Sequence, residues 1–321
     1  MRFLGEYQVP FRRRTIWCGI VGRETDRPPL VCVPGGPGLP HDYLASLAGL
    51  ARRGRQVVFY DPLGSGRSER PAHAAWSLEV YVDEAAAVCR HLRLDRYHLF
   101  AHSAAGFVAL SRALAHPPEL MSLVLSSTPV SFPEHRTHVR RALRQLGFSR
   151  KEVAAFEEAE RTQPTRNVAY ARIYDRYFRR YGCRVRPIPP GLREAVRRIN
   201  PVALRRLKGG HVFYHSELAD WDVTPRLGEI DVPVLYTCGR LDLIPISAAA
   251  DVVRRIPRAE LEIFERSAHT AHVEEPDAYR SCVAAFLERS DCVQALRPER
   301  IERRLRRGSR QSSQVQRKRR T

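Results

Sequence analysis

The apolar positions of the chain fall into short continuous runs separated by longer amphipathic stretches. The continuous runs lie at residues 29–34, 56–60, 97–101 and 122–126. Such runs are typical of strands that are buried on both faces. Residues with a helical period lie between them, at 43–52, 77–92 and 104–115. This alternation predicts an α/β fold with a mostly parallel, doubly wound sheet covered by helices on both faces.

The strand and helix alternation stops near Pro129 and resumes after Pro225. Between them lie Arg-rich helical segments without an apolar run of comparable quality, which predicts an inserted helical cap at residues 129–225. Apolar runs at 232–237 and 260–264 and helical patterns at 248–255 and 276–287 then complete the sheet. The predicted domains are a core in two parts, 1–128 and 226–290, the cap, and a disordered basic tail at 291–321.

The composition is typical of a soluble globular protein, but the net charge is unusually high. Hydrophobic residues make up 43% and charged residues 28% of the 321 positions, and the formal net charge is +19. Residues 297–321 alone hold eleven Arg or Lys and two Glu. Arg dominates the basic residues, which fits either phosphate and carboxylate contacts or a compositional bias of the source. The tail has no interleaved aromatic residues, so we do not expect nucleic-acid binding.

The seven cysteines are scattered and form neither a CxxC pair nor a Cys/His cluster with zinc spacing. Most lie in apolar runs, which indicates buried thiols in a reducing compartment. The first ten residues lack the apolar core of a signal peptide, and no run of eighteen apolar residues occurs. We therefore expect a cytoplasmic protein without a membrane partner, metal or cofactor; the sequence leaves the oligomeric state open.

The strongest chemical signal is HLFAHSAAGFVAL at residues 98–110, where an apolar strand meets a helix at Ser103. A nucleophile at such a sharp turn needs small neighbours two positions before and after it, here Ala101 and Ala105. Alanines replace the usual glycines, and a helix N-cap serine is the alternative interpretation. Residues 31–38, VCVPGGPG, take another strand into a glycine-rich turn. The N–H groups of Gly36 and Ala104 are the candidate oxyanion donors.

Two further residues complete a candidate catalytic triad. Asp242 follows the run at 234–237, and His269 follows the run at 260–264. Ligand sites in parallel sheets lie at the carboxyl ends of the strands. The order Ser, Asp, His is that of the α/β-hydrolases. The sequence thus predicts Ser103 as nucleophile, His269 as base and Asp242 as the residue that orients it. His272 is the rival base, and His102 is expected to pack into the structure.

With these motifs the sequence resembles the proline iminopeptidases of the α/β-hydrolase fold over roughly residues 5–290. The resemblance is carried by PGGPGLPHDYL (34–44), VVFYDPLGSGRSERP (57–71), the turn at Ser103, WDVTPRLGEIDVPVLYTCGRLD (221–242) and SAHTAHVEEPDAY (267–279). It implies a helical cap over the site, a metal-free serine-hydrolase mechanism, and release of an N-terminal residue from a small or short-peptide substrate.

The departures from the family pattern bear on the substrate. Pro34 stands where the family usually has His, and Ala104 stands where an aromatic residue is common. Two family glutamates hold the substrate ammonium; the resemblance places Leu243 at one and Val212 at the other. A buried ammonium without a carboxylate is costly. Glu217 or Asp220 could substitute if the cap alignment slips.

Several functions stay open at this stage. The first is a peptidase or amidase, and the second is an esterase, lactonase or thioesterase that acts on an uncharged acyl substrate, which the missing glutamates favour. A non-catalytic binding protein on the same fold is a third. An epoxide hydrolase would need Asp in place of Ser103.

Overall fold

The computed structural model describes residues 1–71, 76–162 and 168–295. Its sheet has eight strands in the order β1-β2-β4-β3-β5-β6-β7-β8. β1 and β2 form an antiparallel hairpin at one edge, β2 also pairs antiparallel with β4, and all other neighbours are parallel. The strands are β1 Gly5–Phe11, β2 Arg14–Val21, β3 Leu30–Val33, β4 Val57–Tyr60, β5 Tyr97–His102, β6 Leu120–Ser126, β7 Val234–Gly239 and β8 Ala259–Phe264.

The central strands are buried because helices cover both faces of the sheet. β3, β4, β5, β6 and β7 contain only buried residues. Two hydrophobic clusters, one containing Val31 and Leu99 and the other Cys32 and Phe100, divide alternate residues of the same strands. The predicted mostly parallel, doubly wound α/β fold is confirmed.

Ten α-helices are described, together with 3₁₀ segments at His41–Arg53, Ser103–Ala105 and Thr224–Glu229 and π segments at Phe178–Gly182 and Leu204–Lys208. The helices are α1 Leu78–His91, α2 Gly106–Leu114, α3 Phe132–Gln145, α4 Arg150–Thr162, α5 Val168–Tyr177, α6 Pro190–Arg197, α7 Pro201–Ala203, α8 Ile246–Arg255, α9 Ala271–Glu274 and α10 Pro276–Ala295.

The segment between β6 and β7 contains helices and isolated bridges but no strand among its described residues. It begins at α3, whose Ser131 side chain accepts a hydrogen bond from the Glu134 N–H and so caps the helix. A third hydrophobic cluster unites α3, α4 and α5 around Leu143, Phe156 and Ile173. Because the cluster also includes Leu243 and Ile244 of the loop after β7, these helices pack over the end of that strand.

The last described helix, α10, continues to Ala295. The boundary predicted at residue 291 therefore falls inside a helix, because Asp291 is tied to the core through an ion pair with Arg55. The tail predicted to be disordered lies, from residue 296 on, outside the described residues. Within the part of the chain that the structure describes, no helix has the length and apolarity to span a bilayer.

Candidate active site

Ser103 lies at a strained turn between β5 and the helical segment that follows it. Its backbone φ is +57°, a conformation that non-glycine residues adopt rarely and chiefly where the surroundings enforce it. The neighbouring Ala101 and Ala105 are buried. A Cβ on Gly106 would stand 1.8 Å from the Cγ2 of Thr128, so only glycine fits there. The small residues around Ser103 thus allow the turn to pack tightly against β6.

The structure brings the three predicted triad residues into hydrogen-bond contact. The Nε2 of His269 lies 2.8 Å from the Oγ of Ser103, and its Nδ1 lies 2.9 Å from the Oδ1 of Asp242. The Asp242 side chain is fully buried and that of His269 is largely buried. With Nδ1–H donating to the carboxylate, Nε2 carries the lone pair that a serine hydroxyl needs for proton transfer.

Backbone contacts fix the orientation of the histidine and of the aspartate. The N–H of His269 donates to the carbonyl of Tyr181 in the cap at 3.0 Å. The N–H of Ile244 donates to the Oδ1 of Asp242 at 3.3 Å, whereas the Oδ2 of Asp242 is buried without a hydrogen-bond partner among the described residues. A cap residue therefore helps to hold the imidazole in place.

The turn after β3 lies beside Ser103. A Cβ on Gly35 would stand 3.6 Å from the Cβ of Ser103, and the N–H of Gly35 donates to the Tyr43 hydroxyl at 2.7 Å. Gly36 has a φ of +118°, and its N–H meets no acceptor within the described residues. The Tyr43 contact, which the sequence does not signal, fixes the turn that carries the predicted donor Gly36.

Two further histidines lie next to the triad but do not touch Ser103. The Nε2–H of His102 donates to the backbone carbonyl of His269 at 2.8 Å, and its ring lies 4.8 Å from that of His272. Burial lowers the pKa of His102 well below its usual range, and burial lowers the pKa of His272 to about 3. Both rings are therefore neutral near pH 7. His102 packs inward as the sequence predicts, and it also positions the His269 backbone.

Leu243 and Val212 lie in the same hydrophobic cluster, together with Ile244 and Phe213. Both are buried, and Leu243 directly follows Asp242 in the chain. The two positions matched to ammonium-binding glutamates thus contribute apolar surface to one cluster beside the catalytic acid.

The cap does contain a buried carboxylate, Glu160, which the sequence analysis missed. It is only 1% exposed, and its oxygens accept hydrogen bonds from the N–H groups of His211, Val212 and Phe213 and from the Tyr170 hydroxyl. A lone Glu on a charged helix carries no sequence signal of burial. Since both oxygens are engaged, Glu160 anchors the loop that carries Val212.

The two carboxylates considered as substitutes, Glu217 and Asp220, are both exposed. The Asp220 side chain is 98% exposed, and Glu217 lies 3.6 Å from the guanidinium of Arg206 at the surface.

A second hydrogen-bonded series of a serine, a histidine and an aspartate lies at the opposite end of the sheet. The Nδ1 of His98 is 2.7 Å from the Oγ of Ser122, and its Nε2 is 2.9 Å from the Oδ1 of Asp291. Ser122 and His98 are fully buried. Because Ser122 is buried, a substrate cannot reach it. These three side chains therefore link β5, β6 and α10 structurally.

The residues described hold no cluster of three or more His, Cys, Asp or Glu side chains that could ligate a metal ion. All seven cysteines are free, five of them buried.

Comparisons with known proteins were made over the whole chain. The sequence profile of the α/β-hydrolase fold matches residues 28–276. A proline iminopeptidase of Lactobacillus delbrueckii subsp. lactis is 32% identical over 302 residues, which cover 89% of this chain and 99% of the relative. A proline iminopeptidase of Thermoplasma volcanium is 28% identical, covering 86% of this chain and 94% of the relative.

Solved structures give the same picture. The crystal structure of a proline iminopeptidase from Mycobacterium smegmatis superposes with a TM-score of 0.81 at 29% identity and covers 90% of this chain and 100% of that one. The crystal structure of VinJ superposes with a TM-score of 0.83 at 26% identity and covers 89% and 99%.

Proposed function

Because the chain belongs to the proline iminopeptidase family of α/β-hydrolases, we propose that this hydrolase works through a Ser103–His269–Asp242 triad and an acyl-enzyme intermediate. The observation that carries the proposal is the contact of His269 with both partners, at 2.8 Å to Ser103 and 2.9 Å to Asp242. Two such contacts on one imidazole match the roles of a base and the group that orients it.

The proposed reaction has two halves. The Ser103 Oγ attacks the substrate carbonyl carbon while the Nε2 of His269 takes the hydroxyl proton, and the N–H groups of Gly36 and Ala104 bind the oxyanion. His269 then gives the proton to the leaving group, which departs and leaves an acyl ester on Ser103. Water attacks this ester with His269 again as base, which releases the acid and restores Ser103.

Replacing the proposed nucleophile tests the triad. Ser103→Ala should lower kcat by about 10⁶, because no other group can form the acyl ester. Ser111→Ala, eight positions along on α2, is the matched control and should keep activity. Steady-state rates and circular dichroism of the purified variants give the answer. A Ser103→Ala enzyme with a tenth of the normal rate and a normal spectrum would exclude the assignment.

The packing beside Asp242 favours an uncharged acyl group. Leu243 and Val212 are buried in an apolar cluster that adjoins Asp242, and Glu160 is already fully hydrogen-bonded. A free ammonium would lose its hydration there without gaining a carboxylate. We therefore propose, as a second candidate beside the aminopeptidase activity named for the relatives, hydrolysis of esters, thioesters or N-blocked amides of a small-molecule substrate.

A cap lysine supports the same preference. The buried Lys208 ammonium donates to the carbonyl of His211 at 2.6 Å and lies 4.7 Å from the centre of the Tyr214 ring. Burial lowers the pKa of Lys208 to about 8, so it still carries its proton at pH 7. The loop that contributes Val212 thus already holds a buried cation, Lys208, whose charge interacts with the buried Glu160 carboxylate, so Glu160 is not free to pair with a substrate ammonium.

Comparing a prolyl amide that has a free amine with its N-acylated form distinguishes the two candidates. An unpaired ammonium that costs about 2–3 kcal/mol gives the blocked substrate an advantage of about 30- to 160-fold in kcat/KM. Leu243→Glu should shift the ratio toward the free amine, whereas Leu243→Gln, equal in size but uncharged, should not. A wild-type enzyme that prefers the free amine by a similar factor would establish the aminopeptidase.

A further inference from the structure

Outside residues 297–321, the net positive charge of the chain lies in the cap. Residues 129–225 contain 20 Arg or Lys and 10 Asp or Glu, a net charge of +10. Residues 1–128 and 226–296 together contain 23 of each sign, so the core is neutral, and the remaining +9 lies in residues 297–321. A bias of the source toward Arg would act on core and cap alike, so it does not explain the difference between them.

Several arginines of the cap lie on residues 193–206, next to an open hollow in the surface. Arg193, Arg197, Arg205 and Arg206 are all exposed, and Val202 between them is 50% exposed. A hollow of about 580 Å³ opens here, lined by Val202, Arg205, Arg206, Ser216 and Glu217. Arg206 lies 3.6 Å from Glu217, whereas Arg205 forms no ion pair with any described residue. We call these five lining residues the arginine hollow.

The arginine hollow begins two residues from a contact with the proposed oxyanion turn. The N–H of Asn200 donates to the carbonyl of Gly38 at 2.9 Å, and its side-chain oxygen accepts the N–H of Val202 at 3.1 Å. Asn200 is buried, and its side chain also donates to the carbonyl of Leu63. Asn200 thus links the turn at Gly38, through two hydrogen bonds, to Val202 at the hollow. The apolar cluster of Leu243 and Val212 instead adjoins Asp242.

We propose that the arginine hollow binds phosphate groups on the leaving group, and that the substrates of this enzyme include acyl thioesters of a phosphorylated thiol. Guanidinium groups bind phosphate in a two-pronged geometry that lysine cannot provide. Binding energy from a remote, non-reacting phosphate can be used to orient the acyl carbonyl at Ser103. The proposal rests on the proposed function, since the acyl group must still be transferred to Ser103.

Cleavage of such a thioester follows the two halves of the proposed reaction. The C–S bond of the thioester breaks as the acyl carbon bonds to the Ser103 Oγ, and the leaving sulfur takes the proton held by His269. Water then cleaves the acyl ester and yields a carboxylic acid. The phosphate groups stay on the thiol throughout.

Two thioesters of one short acyl group provide the test: the thioester of coenzyme A, whose thiol carries phosphates, and that of the neutral thiol N-acetylcysteamine. We expect the wild-type ratio of kcat/KM to favour coenzyme A. The charge reversal Arg205→Glu with Arg206→Glu should lower this ratio about tenfold or more, as expected for the loss of electrostatic steering. Arg254→Glu, on the exposed face of α8 and likewise paired with a carboxylate, is the matched control and should keep the ratio.

A binding measurement separates this inference from the proposed function. Free coenzyme A is titrated calorimetrically into Ser103→Ala enzyme, with and without the charge reversal; Arg205→Gln replaces the double variant if that one fails to fold. Binding that weakens about tenfold in the variant and at high salt supports the arginine hollow even if neither thioester is hydrolysed. Equal kcat/KM for both thioesters, or no binding of coenzyme A at millimolar concentration, would overturn the inference and leave the triad untouched.

Discussion

At the scale of single residues, three histidines cluster behind the nucleophile and only His269 contacts it. The ring of His102 contacts the other two, with its centre 4.9 Å from that of His269 and 4.8 Å from that of His272. Burial keeps the rings of His102 and His272 neutral.

The sequence suggests the three residues of the proposed triad because each of them follows an apolar run that predicts a strand. It could not predict the supporting contacts of His102, Tyr43 and Glu160, which depend on packing between distant segments.

The buried His272 should make the fold sensitive to acid. Its pKa is lowered from 6.5 to about 3 by burial and by nearby His269. Below pH 6.5 the unfolded chain binds a proton that the folded chain refuses, so stability falls as the pH falls toward 3. The slope from this residue is about 1.4 kcal/mol per pH unit. His272→Phe should remove it in urea titrations at several pH values.

The exposed His91 supplies the control for that series. His91→Gln should leave the pH dependence of the free energy of unfolding as it is in the wild type. Because the buried His102 also resists protonation, the variant keeps part of the decline; if its slope between pH 6.5 and 4 equals that of the wild type, the ring of His272 is not held neutral in the folded state.

Glu84 should destabilise the fold as the pH rises, whereas His272 destabilises it as the pH falls. It is fully buried, its Oε1 accepts the Leu63 N–H at 3.1 Å, and burial raises its pKa from 4.5 to about 8. Above pH 4.5 the unfolded chain releases a proton that the folded chain keeps, so stability falls as the pH rises toward 8. Glu84→Gln should flatten this decline in the same titrations. An unchanged decline would mean that Glu84 is ionised in the folded protein.

At the scale of secondary-structure elements, the parallel strands place the site. β5, β7 and β8 each end just before a triad residue, and the sheet order brings these ends to one edge. The positions of these strands along the chain follow from the apolar runs, so a mostly parallel sheet could be predicted from the sequence. The path of the cap could not, because its amphipathic helices can pack in several ways over the same core.

The link between α10 and the sheet gives an element-scale prediction. The Asp291 carboxylate accepts a hydrogen bond from the buried Arg55 guanidinium, and its Oδ1 lies 2.9 Å from the Nε2 of His98. Asp291→Ala would leave the Arg55 guanidinium buried without its carboxylate, which should cost about 3 kcal/mol of unfolding free energy. Activity at room temperature should persist, because the triad lies at the other end of the sheet.

The matched control for this link is Asp277→Ala on the same helix. Its side chain is 94% exposed and pairs with Arg280 at the surface, so its loss should change the unfolding free energy by less than about 0.5 kcal/mol. Equal denaturation midpoints for the two variants would show that the buried link does not hold α10 to the core.

At the scale of the whole molecule, a neutral α/β core carries a cap of net charge +10. The core supplies the triad, while the cap contributes the Tyr181 carbonyl that holds His269 and the apolar surface around Val212. The sequence indicates this division of roles through the interruption of the strand rhythm. The proposed preference for uncharged acyl groups rests on Leu243 and Val212, and only the structure shows that these two residues lie in one apolar cluster.

A covalent label directly tests whether Ser103 is the residue that forms the covalent intermediate. A fluorophosphonate reacts with serines activated as nucleophiles and leaves a stable adduct. Trypsin should release residues 97–112, which lie between Arg96 and Arg112 and contain two serines, Ser103 and Ser111. We expect one adduct per chain, located on Ser103 by fragment masses, with activity lost in proportion to labelling and no adduct on Ser103→Ala. An adduct on another residue, or full activity in a chain with modified Ser103, would contradict it.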